Sequence, residues 1–178
     1  FRCRRSHSNP KKYLEKNRLG IPTILMADII HGFRTIFPIP LGLGSSWDLD
    51  AAEKMAEISA KEAAVSGLHV TFSPMVDLVR DPRWGRVMES TGEDSFLNSR
   101  FAERFVKGYQ GEDLKEDFFR VAACVKHFAA YGAAIAGRDY NTVNMSERQL
   151  RESYLPGYQA ALKAGAKLVM TSFNTIDG

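Results

Sequence analysis

Short apolar runs alternate along the chain with longer stretches of helical period. The first run, Pro22 to Ala27, lies between Gly20 and Asp28 and has the length and composition of a buried strand. Ser46-Trp47-Asp48 then offers an N-cap region before a predicted helix from Leu49 to Ser66, whose apolar face is marked by Met55, Ile58, Ala63 and Val65. Gly67 is placed to end it. A second strand, Leu68 to Ser73, leads into an irregular polar stretch, Pro74 to Glu93. The next helix runs from Asp94 to Gln110, with Phe96, Leu97, Phe101, Phe105 and Val106 as its core stripe. Val121 to Lys126 reads as the third strand. Beyond a loop rich in Gly, Asn and Asp, Ser146-Glu147-Arg148-Gln149 starts a helical region to Ala164 in the manner of a capping sequence. Pro156 should divide that region, Gly165 closes it, and Lys167 to Ser172 forms a fourth strand. Pro40 to Leu43 reads as a short fifth.

Alternating strands and amphipathic helices call for a parallel sheet covered by helices through right-handed crossovers. Two architectures share this pattern, a doubly wound sheet and a β/α barrel. No G-x-G-x-x-G follows the first strand, where Asp28 and His31 replace phosphate-cradling glycines. The polar residues gather just after strand ends, at Asp28, at Asp77 to Arg86, and at Lys126-His127. In a barrel those positions open onto one face, the face that carries active sites. The expected fold is therefore α/β, an incomplete (β/α)8 TIM-type barrel, because four or five strands are too few to close eight.

Composition narrows the classes without choosing a function. An apolar fraction of 44% and a charged fraction of 25% over 178 residues are those of a folded globular domain. The net charge of +3 is small, and apart from Arg2, Arg4, Arg5, Lys11 and Lys12 the basic residues are scattered, so no nucleic-acid partner is expected. Residues 1–18 read as a frayed leading segment and residues 19–178 as the domain. The chain opens without an initiator methionine or an apolar leader and reads as a cut end. No run approaches the roughly 20 apolar residues of a membrane span. Cys3 and Cys124 have no metal-ligand spacing, and neither a metal nor a cofactor is expected.

Three stretches could carry chemistry. Asp28 stands where strand becomes loop and can accept hydrogen bonds from neighbouring hydroxyls, or simply cap the next turn. Arg80-Asp81-Pro82-Arg83-Trp84-Gly85-Arg86 sets forked donors beside an indole, suited to binding hydroxyls or carboxylates, or to pinning the loop through ion pairs with Glu89, Glu93 or Asp94. Lys126 and His127 follow an apolar strand. Neighbours on a regular strand point to opposite faces, so both aim at one site only if the strand end bends. A lysine there needs a carboxylate such as Asp28, or a ligand.

Taken in order, GIPTILMADIIHG, FPIPLGLGSSWD, PMVDLVRDPRWGR with ESTGED, VKHFAAYG and MTSFNTIDG resemble the N-terminal barrel domain of glycoside hydrolase family 3, the β-glucosidase and β-xylosidase group, over residues 19–178. The resemblance implies a retaining hydrolase acting on terminal β-glucosyl or β-xylosyl residues, with an aspartate nucleophile and a separate acid/base. It makes Asp28, Arg86, Lys126 and His127 holders of the terminal sugar's hydroxyls, and Arg34 and Phe173 weaker candidates. Phe173 stands where the family often has tyrosine. Both catalytic carboxylates are expected beyond Gly178, so this stretch would supply binding residues and no catalyst, its partners being the substrate, the rest of the barrel and a second domain. AAYG after KHF lacks the second histidine of the N-acetylglucosaminidase branch. The compartment stays open, with a periplasmic or secreted location in keeping with the resemblance. Two other readings stand beside it: a non-catalytic sugar-binding protein, and an aldolase-type barrel using Lys126 as a Schiff base.

Overall fold

In the computed structural model the described residues are 10–178. The expectation of a frayed leader lies outside the described residues for residues 1–9; helix α1, Pro10–Lys16, follows them. Strand β1, Met26–Ala27, leads through α2, Pro40–Ser46, and α3, Leu49–Val65, to β2, Val70–Thr71. Helix α4, Ser95–Gln110, precedes β3, Ala122–Phe128. A helical turn α5, Glu147–Gln149, a π-helical turn over Leu150–Tyr154, and α6, Pro156–Lys163, then precede β4, Leu168–Thr171.

The four strands are parallel and lie in chain order, β1-β2-β3-β4. Met26 and Ala27 pair with Val70 and Thr71, which pair in turn with Ala122 and Ala123. Residues of the three crossover helices α3, α4 and α6 share one apolar cluster with Ala123 and Val125 of β3. All three crossovers therefore cover the same face of the sheet. A doubly wound sheet divides its helices between two faces, whereas a barrel wall keeps them on one, so this is part of a (β/α) barrel.

Local chemistry explains where the elements start and stop. Asp48 caps α3 by accepting the Ala51 N–H at 2.9 Å, and Asp94 caps α4 by accepting that of Leu97 at 2.6 Å. Ser146 does the same for Gln149, and Pro156 separates the π-helical turn from α6 as expected.

Packing departs from the pattern in four places. Pro40 to Leu43 is helical, not a strand, because Pro40 at the first helical position has its φ preset for a helix and its missing N–H costs nothing there. The buried face of α3 consists of Ala52, Met55, Ala56, Ser59, Ala60 and Ala63, while Val65 is exposed. Small residues line it because α4 comes close: a Cβ on Gly108 would stand 2.4 Å from the Glu53 carbonyl oxygen and 2.6 Å from the Ala56 Cβ. Phe96, assigned to the core stripe of α4, is 76% exposed, while its neighbour Leu97 packs against the core. The run before Asp28 pairs over two residues only and leaves Ile24 and Met26 exposed, because β1 is paired on one side alone among the described residues.

Candidate active site

The C-terminal ends of the strands bring charged side chains together from three separate stretches of chain. Lys126, near the end of β3, is 3% exposed, and its Nζ donates to Asp28 Oδ1, just past β1, at 2.5 Å. Glu89 Oε2 lies 3.9 Å from the same ammonium. Glu89 in turn accepts a forked pair of hydrogen bonds from Arg86 Nε and Nη2, at 2.7 and 2.8 Å. That pairing raises the Arg86 guanidinium above its ordinary value, so it stays charged at any working pH. The result is an alternating row, Asp28, Lys126, Glu89, Arg86, in which each cation meets a carboxylate. The Asp28 side chain is 61% exposed and forms the open end of the row.

His127 reaches the same region because β3 is irregular there. Cys124, Val125 and Lys126 pair with Leu168, Val169 and Met170, but the next partner of Thr171 is Phe128, so His127 is an extra residue on its strand. Such a bulge re-aims a side chain, and Lys126 and His127 are both buried at this strand end. The His127 ring stands edge-on to Tyr131 at 5.2 Å, and the Arg86 guanidinium lies 5.8 Å from the Tyr131 ring. Asp139 accepts from the Tyr131 hydroxyl and from Trp84 Nε1. Burial and then the Asp139 carboxylate raise the Tyr131 phenol above its ordinary value, so it remains a donor.

The structure thus draws Asp28, Arg86, Lys126 and His127 into one region. Arg34 is placed elsewhere: its backbone N–H donates to Glu62 and its Nη2 to Ser66, at the end of α3. Phe173 follows β4, is 77% exposed and stacks edge-on to Tyr140 at 5.7 Å, with Tyr140 next to Tyr131. The other loop arginines act as ties, Arg83 to Asp81 and Arg80 to Ser153.

Two carboxylates matter more than their sequence context indicated. Asp77 is 1% exposed and bonded to His127, yet it read only as one polar residue in a strand-end stretch. Glu89 read only as a partner for loop arginines, and its second contact, to Lys126, needs the fold. Among the described residues, no group of three or more His, Cys, Asp or Glu side chains is placed to hold a metal ion. No helix there is long and apolar enough to cross a membrane.

The chain has counterparts among known proteins. Residues 3–178 match the model of the glycosyl hydrolase family 3 N-terminal domain. The chain is 49% identical over 162 residues to a periplasmic β-glucosidase of Salmonella typhimurium, covering 91% of this chain and 21% of that protein. It is 37% identical to a β-xylosidase of Formosa agariphila, covering 90% of this chain and 24% of that one. A β-glucosidase from Listeria innocua, solved in complex with glucose, superposes with a TM-score of 0.92 at 64% identity, over 94% of this chain and 24% of that one. This chain therefore spans about a quarter of the length of the proteins it resembles. With the family model matched along nearly its whole length and the same backbone path as a solved member, the chain belongs to glycosyl hydrolase family 3, within its N-terminal domain.

Proposed function

We propose that the protein carrying this chain hydrolyses terminal β-D-glucosyl or β-xylosyl residues by a retaining mechanism, and that Asp28, Arg86, Lys126 and His127 hold the terminal sugar. The observation that carries this reading is the row of alternating charges at the strand ends. It presents carboxylate acceptors and cationic donors side by side, and adjacent hydroxyls of one pyranose ring need both. Fixing the ring this way orients its anomeric carbon, and hydroxyl contacts that tighten as the ring flattens lower the barrier. Phe173, beside Tyr140, supplies an apolar wall, and Arg34 stays a lesser candidate, through its position beyond Asp28 in the chain.

The bond-breaking carboxylates belong to the remainder of the barrel and to a second domain, in keeping with the share of its relatives that this chain spans. A periplasmic or secreted location is proposed with it, on the likeness to a relative named for that compartment. The Schiff-base alternative is disfavoured by the surroundings of Lys126. Amines that form such adducts lie in a hydrophobic pocket or beside another cation, whereas Lys126, though buried, has two carboxylates for neighbours.

The test is turnover of an aryl β-D-glucoside by the full-length protein and its Asp28→Asn variant. Losing charged hydrogen bonds to two hydroxyls, about 1.5–3 kcal/mol each, should lower kcat/KM by about a hundredfold or more. Near-normal kcat/KM in Asp28→Asn would refute the sugar-holding role. Turnover by the 178-residue chain alone would refute the assignment of the catalytic carboxylates to later parts of the protein.

A further inference from the structure

His127 is held from three directions by groups that read poorly in the sequence. Asp77 Oδ2 accepts the His127 backbone N–H at 3.1 Å and lies 2.7 Å from ring Nδ1. The Tyr158 hydroxyl, from α6, donates to the His127 carbonyl at 2.5 Å and lies 3.1 Å from Asp77 Oδ1. Asp77 and Tyr158 are themselves buried, and burial, with the Asp77 carboxylate, raises the Tyr158 phenol well above its ordinary value. It therefore acts as a hydrogen donor.

This arrangement decides where the ring hydrogen sits. An ionised carboxylate can only accept, so the nitrogen facing Asp77 Oδ2 must carry a hydrogen. In a neutral ring the other nitrogen, Nε2, then has a lone pair and no hydrogen. Nε2 makes no hydrogen bond among the described residues. It is also absent from the buried, unpaired side-chain polar atoms, which are Thr71 Oγ1 and Asn174 Oδ1. Nε2 therefore keeps some solvent access, although the ring itself is buried against Tyr131 beside Arg86.

We infer that Asp77 is a positioning residue that locks His127 in its Nδ1–H tautomer, so that Nε2 accepts a hydrogen from one sugar hydroxyl instead of donating to it. The inference rests on the sugar-binding reading above and adds a directional requirement to it. Lys126 and Arg86 have donors only, Asp28 accepts at the far end of the row, and both Glu89 oxygens already accept from Arg86, so His127 adds an acceptor on the buried side. A sugar analogue with fluorine at the position facing Nε2 keeps an acceptor but has no hydrogen to give. It should be bound poorly.

Two measurements on the full-length protein test this. A neutron crystal structure at mildly alkaline pH should show hydrogen on Nδ1 and none on Nε2; hydrogen on Nε2 overturns the inference. That result needs no variant. The second uses the set of singly deoxyfluorinated aryl glucosides. In the unmodified protein one of them should lose about 10- to 100-fold in kcat/KM beyond the fluorine's own chemical effect, as a lost hydrogen bond to a buried acceptor does. Asp77→Ala should shrink that penalty to a few-fold, since nothing then selects the tautomer. Asp77→Asn should restore it, because the two hydrogens of His127 draw the amide oxygen, not its NH2, to their side. A penalty unchanged in Asp77→Ala, or absent in Asp77→Asn, overturns the positioning role. Failure of the sugar-binding reading shows separately, as no turnover of any glucoside and no binding of glucose. It overturns the hydroxyl role while the neutron density still reports the tautomer.

Discussion

Removing either partner of the Lys126–Asp28 pair should have unequal effects on stability, and the structure says which is worse. The Lys126 side chain is 3% exposed and that of Asp28 61%. Asp28→Ala leaves a buried ammonium whose remaining carboxylate, Glu89, stands 3.9 Å away, beyond a direct hydrogen bond. Breaking a fully buried pair from one side costs about 3–5 kcal/mol. The exposure of Asp28 means that solvent already screens this one, and Glu89 compensates in part, so we expect about 1–3 kcal/mol. Lys126→Met removes the buried charge and keeps the length of the side chain. The carboxylate left behind returns to water at little cost, and stability should change by less than about 1 kcal/mol. The double variant should recover most of what Asp28→Ala loses, and that coupling is the signature of the pair. Urea denaturation of the full-length protein and of the three variants measures it, with glucose binding followed in parallel. Each single variant should bind glucose poorly, so stability and binding separate. A Lys126→Met protein destabilised as much as Asp28→Ala, or a double variant no better than Asp28→Ala alone, would refute the argument that Lys126 depends on Asp28 for its charge.

Two further outcomes follow from packing and titration. Gly108→Ala should destabilise: the added carbon would stand 2.4 Å from the Glu53 carbonyl oxygen, and forcing α3 and α4 apart costs about 1–3 kcal/mol, more than the gain of about 1 kcal/mol in helix propensity; an unchanged or raised urea midpoint would contradict this. Asp81 should titrate near 2 instead of its ordinary 3.8, chiefly because the Arg83 side chain donates to it. Its folded value is lowered, so the pair's contribution is complete above the ordinary carboxylate range and fades as pH falls toward 2. Carboxyl NMR should follow that curve and show it move up in Arg83→Ala; a midpoint near 4 in the unmodified protein would refute it.

Much of the fold was legible because it depends on neighbours in the chain. The helix at Leu49 was marked by the acid that caps it and the glycine that follows, and α4 and α6 by Asp94 and Pro156. Pro40 was misleading, since proline opens helices as readily as it flanks strands, and four residues are too few for periodicity to choose. Which apolar residues end up inside was less legible. Phe96 satisfies the helical stripe and faces solvent, while Ala52, Ala56 and Ala60 carry little apolar area and yet form the contact, because the close approach of Gly108 leaves room for nothing larger.

The candidate site divides in the same way. By itself the sequence determined the order of the elements, the clustering of polar residues after strand ends, and the need of a lysine on an apolar strand for a carboxylate or a ligand. Those are consequences of local backbone preference and of the cost of burying a charge. Only the tertiary structure decided the partners. Asp28 and Lys126 are 98 positions apart, and Asp77 and His127 are 50 apart. Lys126 meets Glu89 and His127 turns toward Asp77 because parallel strands joined by helices on one face bring their C-terminal ends together, and because one extra residue in β3 re-aims the chain there. Local chemistry carries no record of such distances; the register of the sheet does.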